Sequence, residues 1–223
     1  MSESAADASA FVALLRAVAG ELPEHRDELN RLDGVAGDGD LGLTVAAACR
    51  ALLDLEPALE TLPEPEAIRK AGLEIARRAP STGGTLIAFA LMAAAKADVP
   101  PDAPPVARAA AYLDAATQSL AERGKVARGD RTMLDALGPA AEAVSDAAKR
   151  GDDPATAAAE AARAADDGAT ATATMAARVG RAGWLADRAA GHEDAGARLV
   201  ALAFAAAARV APAAAGAADV DAD

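Results

Sequence analysis

The chain has 223 residues, 52% of them hydrophobic, and its 22 basic against 34 acidic side chains give a formal net charge of −12. Aromatics make up only 2%, so the apolar content is mostly Ala with Leu and Val, which favours closely approaching helices and nearly excludes an all-β domain. The acidic balance argues against a nucleic-acid partner, and no apolar stretch is long enough to span a bilayer. One core of ordinary size is the simplest organisation for this length. The single cysteine, Cys49, excludes an internal disulfide and a thiolate zinc site. The opening residues carry no basic-then-apolar secretory pattern, so a soluble cytoplasmic protein is expected.

Phe11, Leu14, Leu15 and Val18 recur at helical spacing and predict a first helix that stops before Pro23. A polar, acidic loop is expected from about Asp33 to Gly42. Val45, Cys49, Leu52 and Leu53 stripe a second helix ended by Pro57, and Ile68, Leu73 and Ile75 a third stopped by Pro80. Ser81 to Gly84 reads as a small-residue hinge before a fourth helix, Leu86 to Lys96. Val106 to Glu122 forms a fifth, and Thr132-x-x-Asp135 resembles a capping pattern opening a sixth. Asp153-Pro154 opens a seventh ending near Gly168. Thr170 to Ala177 extends another apolar stretch, Gly180 to Gly191 is irregular or a short helix, and Asp194 to Val210 is the last helix. The expectation is one helical domain over residues 1–211, with an Ala-rich acidic tail, residues 212–223, disordered.

Three clusters could carry chemistry. In Asp33-Gly-Val-Ala-Gly-Asp38-Gly-Asp40-Leu-Gly42, three carboxylates lie among glycines that let the backbone curl tightly. Gathering them bare is repulsive, and a hard cation such as Mg²⁺ offsets that while also taking substrate phosphates. The plainer alternative is a solvated acidic loop. An EF-hand fails, because the twelfth position from Asp38 is Cys49 rather than Glu. The second cluster, Arg123-Gly124-Lys125 to Gly129-Asp130-Arg131-Thr132-Met133, has P-loop glycine spacing but no Lys-Ser after it, so it reads alone as a basic loop. The third holds Arg178, Arg181, Trp184 and His192. Arg181 could face a phosphate, whereas Trp184 reads as a core anchor and His192 as a loop residue. Cys49 falls on an apolar stripe and is expected to be packed rather than reactive. No Ser-His-Asp arrangement is visible.

Taken together, in this order and at these separations, the clusters resemble the L subunit (or L domain) of dihydroxyacetone kinases, over roughly residues 8–210. The resemblance implies an all-α fold, an antiparallel barrel of about eight amphipathic helices with a nucleotide at one end. It implies that Asp33, Asp38 and Asp40 ligate two Mg²⁺ ions bridging the phosphates of ATP or ADP. Leu41, Gly42 and Thr44 would meet phosphate oxygens at a helix N-terminus. Thr82 and Gly83 would form the small-residue turn, and Gly124, Thr132 and Met133 would border the adenine. Arg181, as the catalytic residue, with the Asp194 to Gly196 turn, would close the site. It also implies a separate K-type subunit holding a small hydroxyketone, since no group here is evident for fixing one.

Departures from the family pattern are specific. Its Gly-Gly-x-Ser-Gly turn reads Pro80-Ser81-Thr82-Gly83-Gly84, its Asp-Pro-Gly reads Asp194-Ala195-Gly196, and position 41, often His in the phosphotransferase-system branch, is Leu. The run Gly37-Asp38-Gly39-Asp40 stands closer to the ATP-dependent branch. Three functions are compatible with these residues: a kinase subunit, a nucleotide-sensing regulatory module of the same fold without turnover, or a helical structural domain whose acidic loop binds no metal or holds Ca²⁺ loosely.

Overall fold

Ala-rich runs punctuated by Pro and Gly dictate helices with abrupt ends. A computed structural model of the chain describes residues 3–179 and 186–211, and all its regular elements are helical. Helix α1 (Glu3–Glu21) leads through a 3-10 turn (Leu22–His25) into α2 (Arg26–Ala36). Then come α3 (Leu41–Leu59), α4 (Glu64–Arg78), α5 (Thr82–Ala94), α6 (Pro105–Gly124), α7 (Leu134–Arg150) and α8 (Pro154–Ala171). A 3-10 turn (Thr172–Thr174), the single helical turn α9 (Ala186–Ala189) and α10 (Ala195–Ala208) complete the described residues. None of these helices is long and apolar enough to cross a membrane.

Several helix ends have visible causes. Asp153 caps α8 by accepting from the amides of Ala155 (2.9 Å) and Thr156 (3.1 Å), with Pro154 in the first turn where its missing N–H costs nothing. Gly151, at φ +76°, ends α7 in the left-handed region. Ser81 caps α5 through the Gly84 amide, 3.1 Å.

Each of α3, α4, α5, α6, α7, α8 and α10 packs on the next, α10 returns to α1, and α1 rests on α3. Eight helices thus close a ring, as the family resemblance implies. The links alternate their direction, so α3, α5, α7 and α10 begin, and α4, α6 and α8 end, at the same end of the ring. Helix α2 lies against α3 and α10 at that end, with α9 beside it.

The interior has two characters. Around α1 and α3 it is built from large side chains, among them Val12, Leu29, Leu52 and Leu59. Between α7, α8 and α10 it is almost wholly alanine: Ala136, Ala140, Ala161, Ala165, Ala197 and Ala201. Small side chains let helix axes approach to the short end of the usual range. Gly168 marks the closest point, where a Cβ would overlap the Asp135 carbonyl. Pro139 denies that carbonyl its usual donor four residues on, so α8 can press against it.

Four boundaries differ from the sequence reading. Residues 26–36 form α2, so Asp33 sits on a helix and the loop shrinks to 37–40. Leu29 and Leu32 are buried from α2, and that burial outweighs the helix-weakening Asp33-Gly34 pair. Helix α3 runs through Pro57 for two more residues, with Leu59 fully buried. Ser81 to Gly84 is the capped first turn of α5 rather than a hinge, and α8 continues past Gly168 to Ala171.

The close approach predicts a contrast between two glycines. Gly168→Ala forces α8 away from α7 and is expected to lose about 2–4 kcal/mol. Gly20→Ala, with nothing within 4 Å of the added carbon, should gain about 0.5–1 kcal/mol from helix propensity. Urea unfolding of both variants measures the difference.

Candidate functional site

The acidic loop is organised around the Asp33 carboxylate. Asp33 occupies the last turns of α2, and the Gly37 amide closes that helix on the Asp33 carbonyl at 2.5 Å. A Cβ at Gly37 would collide with the Asp33 carboxylate, so glycine is needed there. The chain then doubles back: Gly39 takes φ +76°, and Asp33 Oδ2 accepts from the amides of Gly39 (2.9 Å) and Asp40 (3.1 Å). This curl brings one carboxylate oxygen each of Asp33, Asp38 and Asp40 within 4.8 Å of one another. Asp33 is half-buried, while Asp38 and Asp40 are exposed. All-oxygen ligands at that separation, two of them open to substrate, fit a Mg²⁺ site that also takes phosphate oxygens.

The start of α3 follows directly. Leu41 opens the helix and packs against the large-residue core. Gly42 is buried so tightly against α2 that a Cβ would overlap the Arg26 carbonyl. The Asn30 carboxamide accepts from the Gly42 amide at 2.8 Å and the Leu43 amide at 3.3 Å, and the Thr44 amide donates to the Asp40 carbonyl at 3.0 Å. Those N–H groups are engaged within the protein, which leaves the half-buried Thr44 side chain beside the acidic loop. Asn30 was not among the residues singled out from sequence, because its role depends on amides 12 and 13 positions away.

Across the same end, α5 and α6 border a groove of about 620 Å³. Thr82, Thr85 and Phe89 line it from α5, and Glu122, Arg123 and Lys125 from the end of α6. The Arg123 guanidinium lies 4.2 Å from the Phe89 ring centroid, a cation–π contact. Gly83 has open space around its Cα, whereas Gly84 is pressed onto the Ala79 carbonyl. Gly124, the last residue of α6, is held at the groove's rim by Val126 and Leu86.

The loop from 125 to 133 is pinned from within. Arg131 is only 4% exposed and non-glycine at φ +64°, a strained conformation. Its Nη2 fans onto the carbonyls of Ala189 (3.1 Å), His192 (2.8 Å) and Glu193 (3.4 Å), tying this loop to the chain ahead of α10. Its Nε is buried with no acceptor. Asp135 is likewise buried, and its carboxylate accepts from Gly129 (2.5 Å) and Thr132 (2.8 Å), while Thr132 Oγ1 accepts from Leu134 at 3.2 Å. Only the Asp135 arm of the capping pattern expected at Thr132 forms, since Thr132 Oγ1 takes the Leu134 amide rather than that of Asp135. Met133 is buried against Gly196, where a Cβ would come within 2.6 Å of it.

Asp194 completes the cluster. Its amide donates to the buried Thr172 Oγ1 at 2.8 Å, and its carboxylate caps α10 by accepting from Ala197 at 2.8 Å. The structure therefore joins Thr132, Met133, Asp194 and Gly196 in one group, Thr82 and Gly124 at the groove, and the three aspartates in another. Arg181 and Trp184, like the 212–223 tail, lie outside the described residues. Cys49 is buried, and burial pushes its thiol up to about 11, consistent with a packing role.

Burial pushes the Asp194 carboxyl up to about 6, with its Ala197 hydrogen bond and Arg131 pulling the other way. The folded protein thus holds this proton to a higher pH than the unfolded chain does. Stability should fall as pH rises from about 4 to about 6, by an amount on the order of 2–3 kcal/mol, and level off above. Asp194→Asn keeps a capping oxygen and removes the charge. Its thermal unfolding should lose that slope and exceed the parent's midpoint at pH 7.

Comparisons with known proteins bear on the family and the fold. Residues 35–209 match the DAK2 domain family. The chain is 31% identical to D-erythrulose kinase of Mycolicibacterium smegmatis over 83% of its own length but 32% of that relative's. It is 31% identical to human triokinase/FMN cyclase over 79% of its length and 30% of the relative's. Against the ADP-binding subunit DhaL of PEP-dependent dihydroxyacetone kinase 2 of Listeria innocua it is 29% identical, covering 88% of this chain and 91% of that one. The chain thus spans about a third of the two larger kinases and nearly the whole of the separate subunit. The fold matches the dihydroxyacetone kinase of C. freundii, in native form with TM-score 0.69 and 27% identity over 90% of this chain and 34% of that one. A structure of the same kinase with AMP-PNP and Mg²⁺ matches with TM-score 0.68 and 26% identity over the same shares. The match over most of the chain and the closed helical ring make it a member of the DAK2 domain family, the L-type helical domain of dihydroxyacetone kinases.

Proposed function

We propose that this chain is the nucleotide-binding, phosphoryl-transferring part of a kinase for dihydroxyacetone or a related short hydroxyketone, with the acceptor held by a separate K-type subunit or domain. The convergence of Asp33, Asp38 and Asp40 within 4.8 Å, at the end of the ring where the other motif loops gather, is the observation that carries this reading. Phosphoryl transfer asks mainly for positioning and charge neutralisation, and this end of the ring supplies both kinds of group. Held by Asp33, Asp38 and Asp40, Mg²⁺ would supply neutralisation of phosphate charge during transfer.

The chain's own residues divide the remaining work. Asp33, oriented by two amides, is the fixed ligand, and the exposed Asp38 and Asp40 complete the metal set. Thr44, Thr82 and Gly83 flank the phosphates. Gly124, Met133 and Gly196 border the base, with Thr132 and Asp194 holding their loops in register. Arg181 serves as the catalytic cation at the transferring phosphoryl. The acceptor must enter from the open end, so the K-type partner docks over the loops carrying Asp38 and Thr82. ATP is the favoured direct donor, because Leu41 stands where the phosphotransferase-system branch often has His, although the similar Listeria subunit belongs to a PEP-dependent kinase.

Calorimetry with ADP tests the site. Mg²⁺-dependent binding should be abolished by Asp38→Ala with helical circular dichroism unchanged, and Mg-ADP should raise the unfolding temperature only without EDTA. Undiminished binding in that variant removes the aspartates from the site.

Turnover tests the division of labour. The purified chain alone should phosphorylate dihydroxyacetone negligibly, because an unfixed acceptor forfeits the advantage of orientation. Adding a K-type subunit and ATP should restore activity, and Arg181→Ala should lower that turnover far more than complex formation. Activity that requires phosphoenolpyruvate and its phosphocarriers would assign the chain to the other donor class.

A further inference from the structure

A second concavity, about 380 Å³, opens between α2 and the segment ahead of α10, lined by Arg31, Gly34, Val35, Arg188 and His192. All its charged or chargeable side chains are cationic or can become so, in a protein whose net charge is −12. Neither Arg31 nor Arg188 has a carboxylate partner among the described residues, although carboxylates lie close in sequence.

Those among them whose side chains are described are committed elsewhere. Asp27, one helical turn before Arg31, bonds Arg26 at 2.9 Å. Glu28, three residues before Arg31, faces His25 at 3.3 Å and Arg198 at 4.0 Å, and Asp33, two residues after it, accepts from the Gly39 and Asp40 amides. Glu193, next to His192, bonds Arg198 Nε at 2.6 Å, and Arg198 also holds Asp166 at 2.6 Å. Arg198 thus gathers three carboxylates, while Arg31 and Arg188 have none among the described residues.

One wall of the concavity is also held in place by a buried group. Arg131 fixes the carbonyls of Ala189, next to Arg188, and of His192 and Glu193. Two guanidiniums and an imidazole around a small concave space are the donors that recognise a phosphate group.

We propose that this pocket binds a phosphate group, as orthophosphate or as the phosphate of a small phosphomonoester, at a site separate from the three-aspartate loop. Gly34 and Val35 follow Asp33 directly, so such an anion would sit beside the metal-binding loop without using its carboxylates. The proposal does not depend on the kinase reading, because binding here needs neither metal nor nucleotide.

The test is a nuclear magnetic resonance titration of the full chain with orthophosphate in EDTA, against chloride at equal ionic strength. Without metal the bare aspartates repel phosphate, so the aspartate loop does not compete. Phosphate should shift the His192 ring and the Gly34 and Val35 amides, and the Arg31→Gln, Arg188→Gln double variant should weaken this by roughly tenfold or more. Both changed side chains are exposed, so the variant should keep the parent's unfolding temperature. Repeating the titration with dihydroxyacetone phosphate separates the sources: tighter binding identifies a phosphomonoester, and equal binding identifies free phosphate. No shift beyond that of chloride, or shifts that survive the double variant, would overturn the proposal.

Discussion

The close approach of α7, α8 and α10 through alanine and glycine sets the dimensions of the functional end. Side chains one carbon long leave little freedom to slide, because each displaced backbone atom meets another backbone atom rather than a flexible side chain. Gly168 against the Asp135 carbonyl is the tightest example, and Asp135 is the residue that gathers the amides of Gly129 and Thr132. Helix spacing is therefore transmitted directly to the loop that carries Met133. On the other side of the ring, Leu, Val and Ile fill a wider space, and α2 is laid across it to bring Asp33 to the same end.

Charge at that end is separated by depth. The three aspartates that gather at the loop are half-buried or exposed, where a metal can reach them. Arg131, Asp135 and the Asp194 carboxyl lie inward and hold loops to one another rather than facing a ligand. Buried ionic groups of this kind add little net stability, because desolvation offsets attraction, but they penalise any rearrangement that separates them. The strained backbone at Arg131 is sustained by contacts to a segment some 60 positions further along the chain.

Much of this was legible in the sequence, and the exceptions share a cause. Composition and proline spacing were enough for an all-helical chain, and the glycine-aspartate run pointed to a curled loop with convergent carboxylates. Helix α2 was not legible, because Asp33-Gly34 looks like loop and only the burial of Leu29 and Leu32 makes it helix. Asn30 and Arg131 were equally hidden: each earns its place from partners far along the chain, and local pattern carries no trace of such bonds. The alanine-filled half of the core could be inferred in kind, but its partners could not be assigned among so many equivalent alanines.

The Asn30 carboxamide changes what α3 can offer a ligand. A helix N-terminus normally presents free amides to anions, yet two of these are already spent on a neutral side chain. Beside them stand three negative charges. A nucleotide stripped of its cation would meet repulsion without a compensating cradle of N–H groups, whereas the cation-complexed form would not. On the nucleotide reading proposed above, the fold would act as a filter on the ionic form of its ligand, disfavouring the free polyanion before any contact with the base is made.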